Sequence, residues 1–451
     1  MKKVVLAYSG GLDTTYCVKY LGDLGYEVHA VLVDTGGFSQ EELDFVEKRA
    51  NSIGVASYKA IKVTQKFYDK CIKYLIFGNI LKNNTYPLSV SAERIFQAVA
   101  IAQYAKELKA DAIAHGSTGA GNDQVRFDMA FHIIYPDAEI ITPIRDEKLS
   151  REEEIEFLTK HGVEGDWTKA AYSINKGIWG TSVGGKETLT SNEFLAEEAF
   201  PSQIQKKDSE EVELTFKKGE IVGINGEDLN PVSAIQKLNE IASLYGIGRD
   251  VHVGDTVVGI KGRVGFEAAA PLIIIKAHHT LEKHTLTKWQ LYWKEQLANW
   301  YGNLLHEGQY LDPVMRNIET FLGDTQQYVT GKAFVRLSPN HFQVLGIENN
   351  KKKLFFGKKA DVRDNIIKLK KNKKFKFIQA DINNALLMSK IYRSNKVILT
   401  IHAAAQPSHD WSASNPLLDY KVNALGTLNL LENVRKFRPD SQFIFLSTNK
   451  V

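Results

Sequence analysis

The sequence predicts an α/β chain: a parallel-sheet N-terminal domain, an α+β domain after it, and a fragment of a second parallel sheet at the end. Three observations carry this expectation. Strand-like and helix-like segments alternate over residues 1–165, as a parallel sheet with helices on both faces requires. Around Asp166 glycines and aromatics become frequent, and hairpin-like and helical patterns replace the alternation. Beyond a basic run, Lys351 to Lys376, strand and helix patterns alternate again. The expected boundaries are 1–165, 166–350, a junction at 351–376, and 377–451.

The elements follow in order. Val4-Val5-Leu6-Ala7-Tyr8 is a short apolar run closed by Ser9-Gly10-Gly11, which reads as a strand entering a turn. A helix is expected from Asp13 to Leu24, stopped by Gly25, and a strand over Val28–Val33. Helices near Glu41–Ile53 and Glu93–Leu108 separate this pair from later strands at Ala112–His115 and Ile140-Ile141. In the middle region Val212–Ile224 alternates as a hairpin does, while Ser233–Leu244 and Thr287–Leu305 have helical spacing. In the last part, strands are expected at Phe375–Ile378, Val397–Ile401 and Phe443–Leu446, with a helix over Leu417–Lys436.

Composition excludes several classes. The chain has 451 residues, 43% hydrophobic and 24% charged, which is globular rather than disordered or fibrous. No apolar stretch approaches the ~18 residues a membrane helix needs. The apolar run after Met1-Lys2-Lys3 is too short for a signal-peptide core. The 2 cysteines, Cys17 and Cys71, exclude a disulfide scaffold and a four-cysteine zinc site, and both read as small core residues. A reducing cytoplasm is the expected location. Net charge is +4, but Lys351–Lys376 holds twelve Lys/Arg against two acids, so that segment is +10 and the rest −6. Such a run reads as a solvated linker, and neither nucleic acid nor membrane is expected as a partner.

The sharpest local signal is Ser9-Gly10-Gly11-Leu12-Asp13-Thr14-Thr15, between the first strand and the first helix. Its glycines permit a tight turn and close backbone approach, and its hydroxyls add donors. The helix that follows supplies free N–H groups and the positive end of its dipole, which together suit a pyrophosphate. It lacks both the Gly-Lys-Ser/Thr ending of a Walker A loop and a Gly-x-Gly-x-x-Gly fingerprint. Asp13 would repel a phosphate directly, so a Mg²⁺-linked role suits it better. The string resembles the pyrophosphate loop of the PP-loop ATP pyrophosphatases, whose members cleave ATP between the α- and β-phosphates and adenylate a substrate oxygen.

A second string, His115-Gly116-Ser117-Thr118-Gly119-Ala120-Gly121-Asn122-Asp123-Gln124-Val125-Arg126-Phe127, carries the parts for recognising amino acids. Its glycines let backbone N–H groups face a ligand, Asn122 and Thr118 can bond a carboxylate, Arg126 can hold one bidentately, and Asp123 can hold an ammonium group. It closely resembles a motif of the argininosuccinate synthase family. Ala7 to Thr14, Gly246-Ile247-Gly248-Arg249 and Gly308 to Pro313 extend the resemblance over residues 1–350. The resemblance implies an ATP-binding PP-loop domain followed by a synthetase and multimerisation domain. It implies condensation of citrulline with aspartate through a citrullyl-AMP intermediate, with ATP as substrate, Mg²⁺, and a homotetramer.

The same resemblance implies the site. Ala7, Tyr8, Ser9, Gly10, Gly11, Leu12, Asp13, Thr14, Thr15 and Gly116 would bind ATP. Tyr86, Ser91, Asn122, Arg126, Ser173 and Ser182 would bind citrulline. Thr118, Asn122 and Asp123 would bind aspartate, and Asp13, Asn122 and Arg126 are the expected catalytic residues. No residue is assigned as a metal ligand. Three positions depart from the family pattern: Val90 precedes Ser91 where a Thr-Ser pair is common, and Gly254 and Phe266 stand where a Glu and a Tyr are frequent.

The tail resembles another family, the extended short-chain dehydrogenase/reductases of the nucleotide-sugar epimerase kind, and so an incomplete Rossmann-like fragment. The residues that carry this are Phe377–Ile382, His402–Ser408, Asn423–Glu432 and Ser447–Val451. No Gly-x-Gly-x-x-Gly turn precedes them and no Tyr-x-x-x-Lys pair follows, so NAD-dependent epimerase activity is not expected. The helical arm through which the synthases contact neighbouring subunits is not evident after Asn350. A non-catalytic nucleotide-binding fusion is the alternative reading.

Overall fold

The computed structural model describes residues 1–119, 121–165, 167, 172–257, 259–349, 369–370, 372–405 and 413–446. The chain divides into two compact units, residues 1–357 and 358–451. Much of the basic run (351–368 and 371) lies outside the described residues, as do Ala120, Asp166, Gln406–Ser408 of one tail motif, and the last tail motif, Ser447–Val451.

The first unit opens with β1 (Lys2–Ala7), helix α1 (Leu12–Asp23), β2 (Tyr26–Asp34), helix α2 (Gln40–Ser52) and β3 (Ser57–Lys62). Helix Ser89–Leu108, β4 (Ala112–Ala114), helix Asp123–Ile134 and β5 (Glu139–Ile141) continue it. These strands form one parallel sheet of order β3-β2-β1-β4-β5. Strand side chains alternate between faces, so Val4, Leu6, Ala30 and Leu32 enter one core with Tyr16 and Leu21 of α1. Val5, Val31, Val33 and Ile113 enter the opposite core with Ile95, Phe96 and Val99 of helix Ser89–Leu108. That second core runs on without a break into the middle region, where Phe216, Ile274 and Tyr301 join it.

The middle region builds two antiparallel sheets. One is ordered β11-β12-β7-β6, from β6 (Ser173–Gly177), β7 (Gly180–Gly184), β11 (Arg249–Asp255) and β12 (Lys261–Glu267). The other is ordered β10-β9-β8-β13-β14, from β8 (Glu210–Lys217), β9 (Glu220–Ile224), β10 (Glu227–Asp228), β13 (Gly331–Ser338) and β14 (His341–Glu348). Helices Pro231–Ser243, Ala269–Lys283, Lys288–His306 and Pro313–Thr325 pack with them. Cys17 and Cys71 are free and buried. No helix among the described residues is long and apolar enough to cross a membrane.

The second unit holds helix Ala385–Ser394, β15 (Leu399–His402), a helical run from Pro416 to Phe437 with a π turn at Lys421–Leu425, and β16 (Gln442–Phe445). β15 and β16 pair in parallel, and Met388, Tyr392, Leu430 and Val434 form a small core. The strand expected at Phe375–Ile378 is not formed. Among the described residues no strand pairs with that segment to complete its hydrogen bonds, and Phe377 and Ile378 are exposed.

Candidate active site

β1 has β2 on one side and β4 on the other, so chain connections leave it in opposite directions. A ligand crevice opens at such a point, beyond the carboxyl ends of the strands. The loops after β1 and β4 flank it and line a cavity of about 940 Å³. Of the residues expected to bind ATP, Ala7, Tyr8, Ser9, Gly11, Leu12, Asp13, Thr14 and Gly116 line this cavity, and so does Thr118, expected to bind aspartate. Gly10 and Thr15 stand behind it. Gly10 turns the chain at φ +78°, and a Cβ there would meet Val46 at 3.0 Å. Thr15 is buried and donates its hydroxyl to the Gly11 carbonyl at 2.7 Å.

The loop is braced from behind and open in front. Arg49 donates to the Gly10 carbonyl at 2.8 Å, and its guanidinium lies 4.7 Å from the Trp167 ring. Ser9 and Thr14 hydroxyls share a bond at 3.2 Å. No side chain caps the start of α1, so its first N–H groups are available to an anion. Asp13 meets Glu154 of helix Arg151–Lys160; burial raises the Asp13 carboxyl, and burial together with the neighbouring Asp13 charge raises Glu154 to about 8. Glu154 Oε2 is buried with no hydrogen-bond partner among the described residues.

The loop after β4 is fastened by a chain of polar contacts. The Ser117 N–H donates to His115 Nδ1 at 3.2 Å, which puts the proton of the neutral ring on Nε2, 2.9 Å from Asp128. Arg145 bonds Asp128 at 2.7 Å and Gln124 at 3.1 Å. Burial alone would raise Asp128, but the His115 and Arg145 bonds outweigh it and hold the carboxyl below its usual value.

Asp123 sits between two arginines. Arg94 Nε donates to it at 2.9 Å and Arg126 at 3.0 Å. Burial pushes its pKa up, and the two guanidinium charges outweigh that and hold it down, so it is ionised at neutral pH. The Arg126 fork also donates to the His306 carbonyl at 3.1 and 2.8 Å and to Ser91 at 3.1 Å. Its fork is thus turned to protein acceptors. Arg94, in turn, ties Asp123 to Asn175 of β6 at 2.7 Å.

A second cavity, of about 310 Å³, adjoins the first across Gly121, Asp123 and Asn175. It gathers Tyr86, Ser91, Asn122, Asp123, Arg126 and Ser182 from the expected set. Ser173 lines the larger cavity, since its strand pairs it with Gly184 while Ser182 lies opposite Asn175. Asn122 accepts from the Val257 N–H at 2.8 Å, which pins the loop between β11 and β12 over the site. Phe266 is buried against the Tyr86 ring, and Gly254 lines the cavity. His252, His306, Arg94, Glu93 and Glu154 were missed from sequence. Only Arg94 had a signal, its place one helical turn beyond Ser91 on a helix already assigned to the site.

A parallel sheet with an anion loop at its switch point, joined to a polar cavity fed by a second domain, defines an ATP-using synthetase. Comparison with known proteins specifies it. The family described as arginosuccinate synthase N-terminal HUP domain matches residues 3–164, and the arginosuccinate synthase C-terminal domain matches residues 172–380. The argininosuccinate synthase of Methanocaldococcus jannaschii is 38% identical over 346 residues, covering 76% of this chain and 87% of that protein. Those of Sulfurisphaera tokodaii (36% identical, 76% and 88% covered) and Xylella fastidiosa (38%, 73% and 84%) are similar. The chain belongs to the argininosuccinate synthase family, whose members are ATP-dependent ligases. Residues 331–451 also match the family described as GDP-mannose 4,6 dehydratase, overlapping the preceding match.

Proposed function

We propose that this chain condenses citrulline with aspartate at the two joined cavities, using ATP. The observation that carries the reading is that the anion loop and the Asn122–Asp123–Arg126 cluster share one opening through Gly121 and Asp123. ATP lies in the larger cavity with its phosphates on the Ser9–Thr15 loop. Citrulline lies in the smaller one, against Tyr86, Ser91 and Ser182. Aspartate is held near Thr118, Asn122 and Asp123, where an ionised Asp123 accepts from its ammonium group and the charge of Arg94 and Arg126 draws its carboxylates. The ureido oxygen attacks the α-phosphorus, the bond to the β-phosphate breaks, and pyrophosphate leaves. The aspartate amine then adds to the ureido carbon and AMP departs. The protein's share is positioning and charge stabilisation. Asn122 and Arg126 hold the walls that align the two substrates.

Two carboxyls that meet at the loop, Asp13 and Glu154, with one Glu154 oxygen unpartnered among the described residues, suit a divalent cation. Asp13 and Glu154 would hold Mg²⁺, which when bound offsets charge on the leaving pyrophosphate. The protein is cytoplasmic in this reading. Its assembly as a homo-oligomer is supported by the exposed aromatic stripe Trp289, Tyr292, Trp293 and Trp300 on one helix.

The test is release of pyrophosphate and AMP from Mg-ATP by the purified chain. Release that requires both citrulline and aspartate is expected. No release from protein that still binds ATP would overturn the reading.

A further inference from the structure

We propose that His252 is a substrate-contacting specificity residue of the smaller cavity, hydrogen-bonding the ureido end of the ligand held there. The inference rests on the citrulline reading of that cavity and adds to it the group that recognises the uncharged end. His252 lies on β11, is 5% exposed, and lines the cavity beside Ser91, Asn122, Arg126 and Ser182. Its ring stacks on Tyr86 with centroids 5.2 Å apart and planes 26° apart. Among the described residues neither of its ring nitrogens has a hydrogen-bond partner.

The second histidine in the same cavity makes the contrast. His306 uses both nitrogens, Nδ1 with the Ser91 hydroxyl at 3.2 Å and Nε2 with the Asp255 carbonyl at 3.3 Å. A buried imidazole with two idle nitrogens is uncommon, because each unpaired polar atom costs its full desolvation. The fold also makes room for this ring. Gly254 lies two residues along the same face of the strand, and a Cβ there would stand 2.6 Å from His252 Nε2. The glycine thus leaves the imidazole its place against the cavity.

The chemistry matches a ureido group. Burial, and secondarily the charge of Lys82, disfavours the protonated ring. A neutral imidazole presents one N–H donor and one lone-pair acceptor. A ureido group has a carbonyl to accept and amide hydrogens to donate, so it can use both. A carboxylate offers acceptors only, and a guanidinium donors only.

The test uses the full chain with steady-state pyrophosphate release, varying each substrate in turn. His252→Phe keeps the stack on Tyr86 and removes the nitrogens. Gly254→Ala keeps the imidazole and displaces it. Both are expected to raise the citrulline KM ~10-fold or more, the effect of one lost hydrogen bond to a substrate, while the ATP KM stays within about twofold. His252→Gln, which restores a donor and an acceptor, should recover part of the loss. His252→Phe should not lower the melting temperature, since no internal bond is removed. An unchanged citrulline KM in both His252→Phe and Gly254→Ala, with wild type active, would overturn the inference and leave a ring whose nitrogens take water. Wild type without citrulline-dependent turnover would overturn the reading of the cavity, and the inference with it. Should His252→Phe fail to fold, Gly254→Ala and His252→Gln decide the question.

Discussion

Asp123 and Glu93 lie close together and have opposite fates. Asp123 is clasped by Arg94 and Arg126 and keeps its charge. Glu93 shares Arg94's influence but is buried more deeply; it accepts from the Thr35 hydroxyl, and burial lifts its pKa from 4.5 to about 7. Between those values the folded protein keeps a proton that the unfolded chain gives up. Stability therefore falls as pH rises from about 4.5 to 7 and stays reduced above it, by at most about 3 kcal/mol. Glu93→Gln removes this loss. At pH 8 the variant should melt roughly 3–5 °C above wild type, with the gap closing near pH 4.5. Thermal denaturation across that range checks it, and a gap that does not change with pH would sink the assignment. Neither behaviour was legible in the sequence, where Glu93 was only the start of an expected helix. A carboxylate's fate depends on which guanidinium reaches it, and Arg94, Asp123 and Arg126 come from two helices.

At the scale of elements, local signals were read well and paired ones less so. The turn at Ser9–Gly11, the first strand and helix, and the strands near 28–33 and 112–114 are all formed, because each is encoded in contiguous residues. β3 was missed. It is an edge strand whose Lys59 and Lys62 face solvent, so its pattern is not apolar, and only pairing with β2 makes it a strand. The Phe375–Ile378 segment errs the other way, apolar in pattern but without a partner strand among the described residues. Ser173 and Ser182 show the same limit, since spacing along the chain did not reveal that a hairpin sends them to different cavities. The loop's geometry gives a direct test. Gly10→Ala forces a side chain into φ +78° and towards Val46 at 3.0 Å, a strain of about 1–2 kcal/mol. Because the strain sits in the phosphate turn, the ATP KM should rise ~10-fold while the citrulline KM moves little. Equal rises in both would mean that the turn supports the whole site rather than the nucleotide.

At the scale of the molecule, the two units have separate cores. Among the described residues the large core clusters draw on residues up to Ile347, and the small one on residues from Ile382 to Phe443. Both cavities are lined entirely by residues of the first unit. Among its described residues the second unit gathers four buried apolar side chains into a core and exposes Leu386, Ile398, Ile401 and Leu417. So small a core stabilises little, and its open apolar surface favours association. A chain ending at Asn349 should therefore keep the main melting transition of the full protein, stay soluble at higher concentration, and release pyrophosphate with unchanged citrulline and ATP KM values. Calorimetry, light scattering and the coupled assay on both chains would read these in parallel. Loss of the main transition on truncation would mean that the first unit draws stability from residues beyond Asn349. A preserved transition with lost turnover would instead make those residues part of the catalytic assembly.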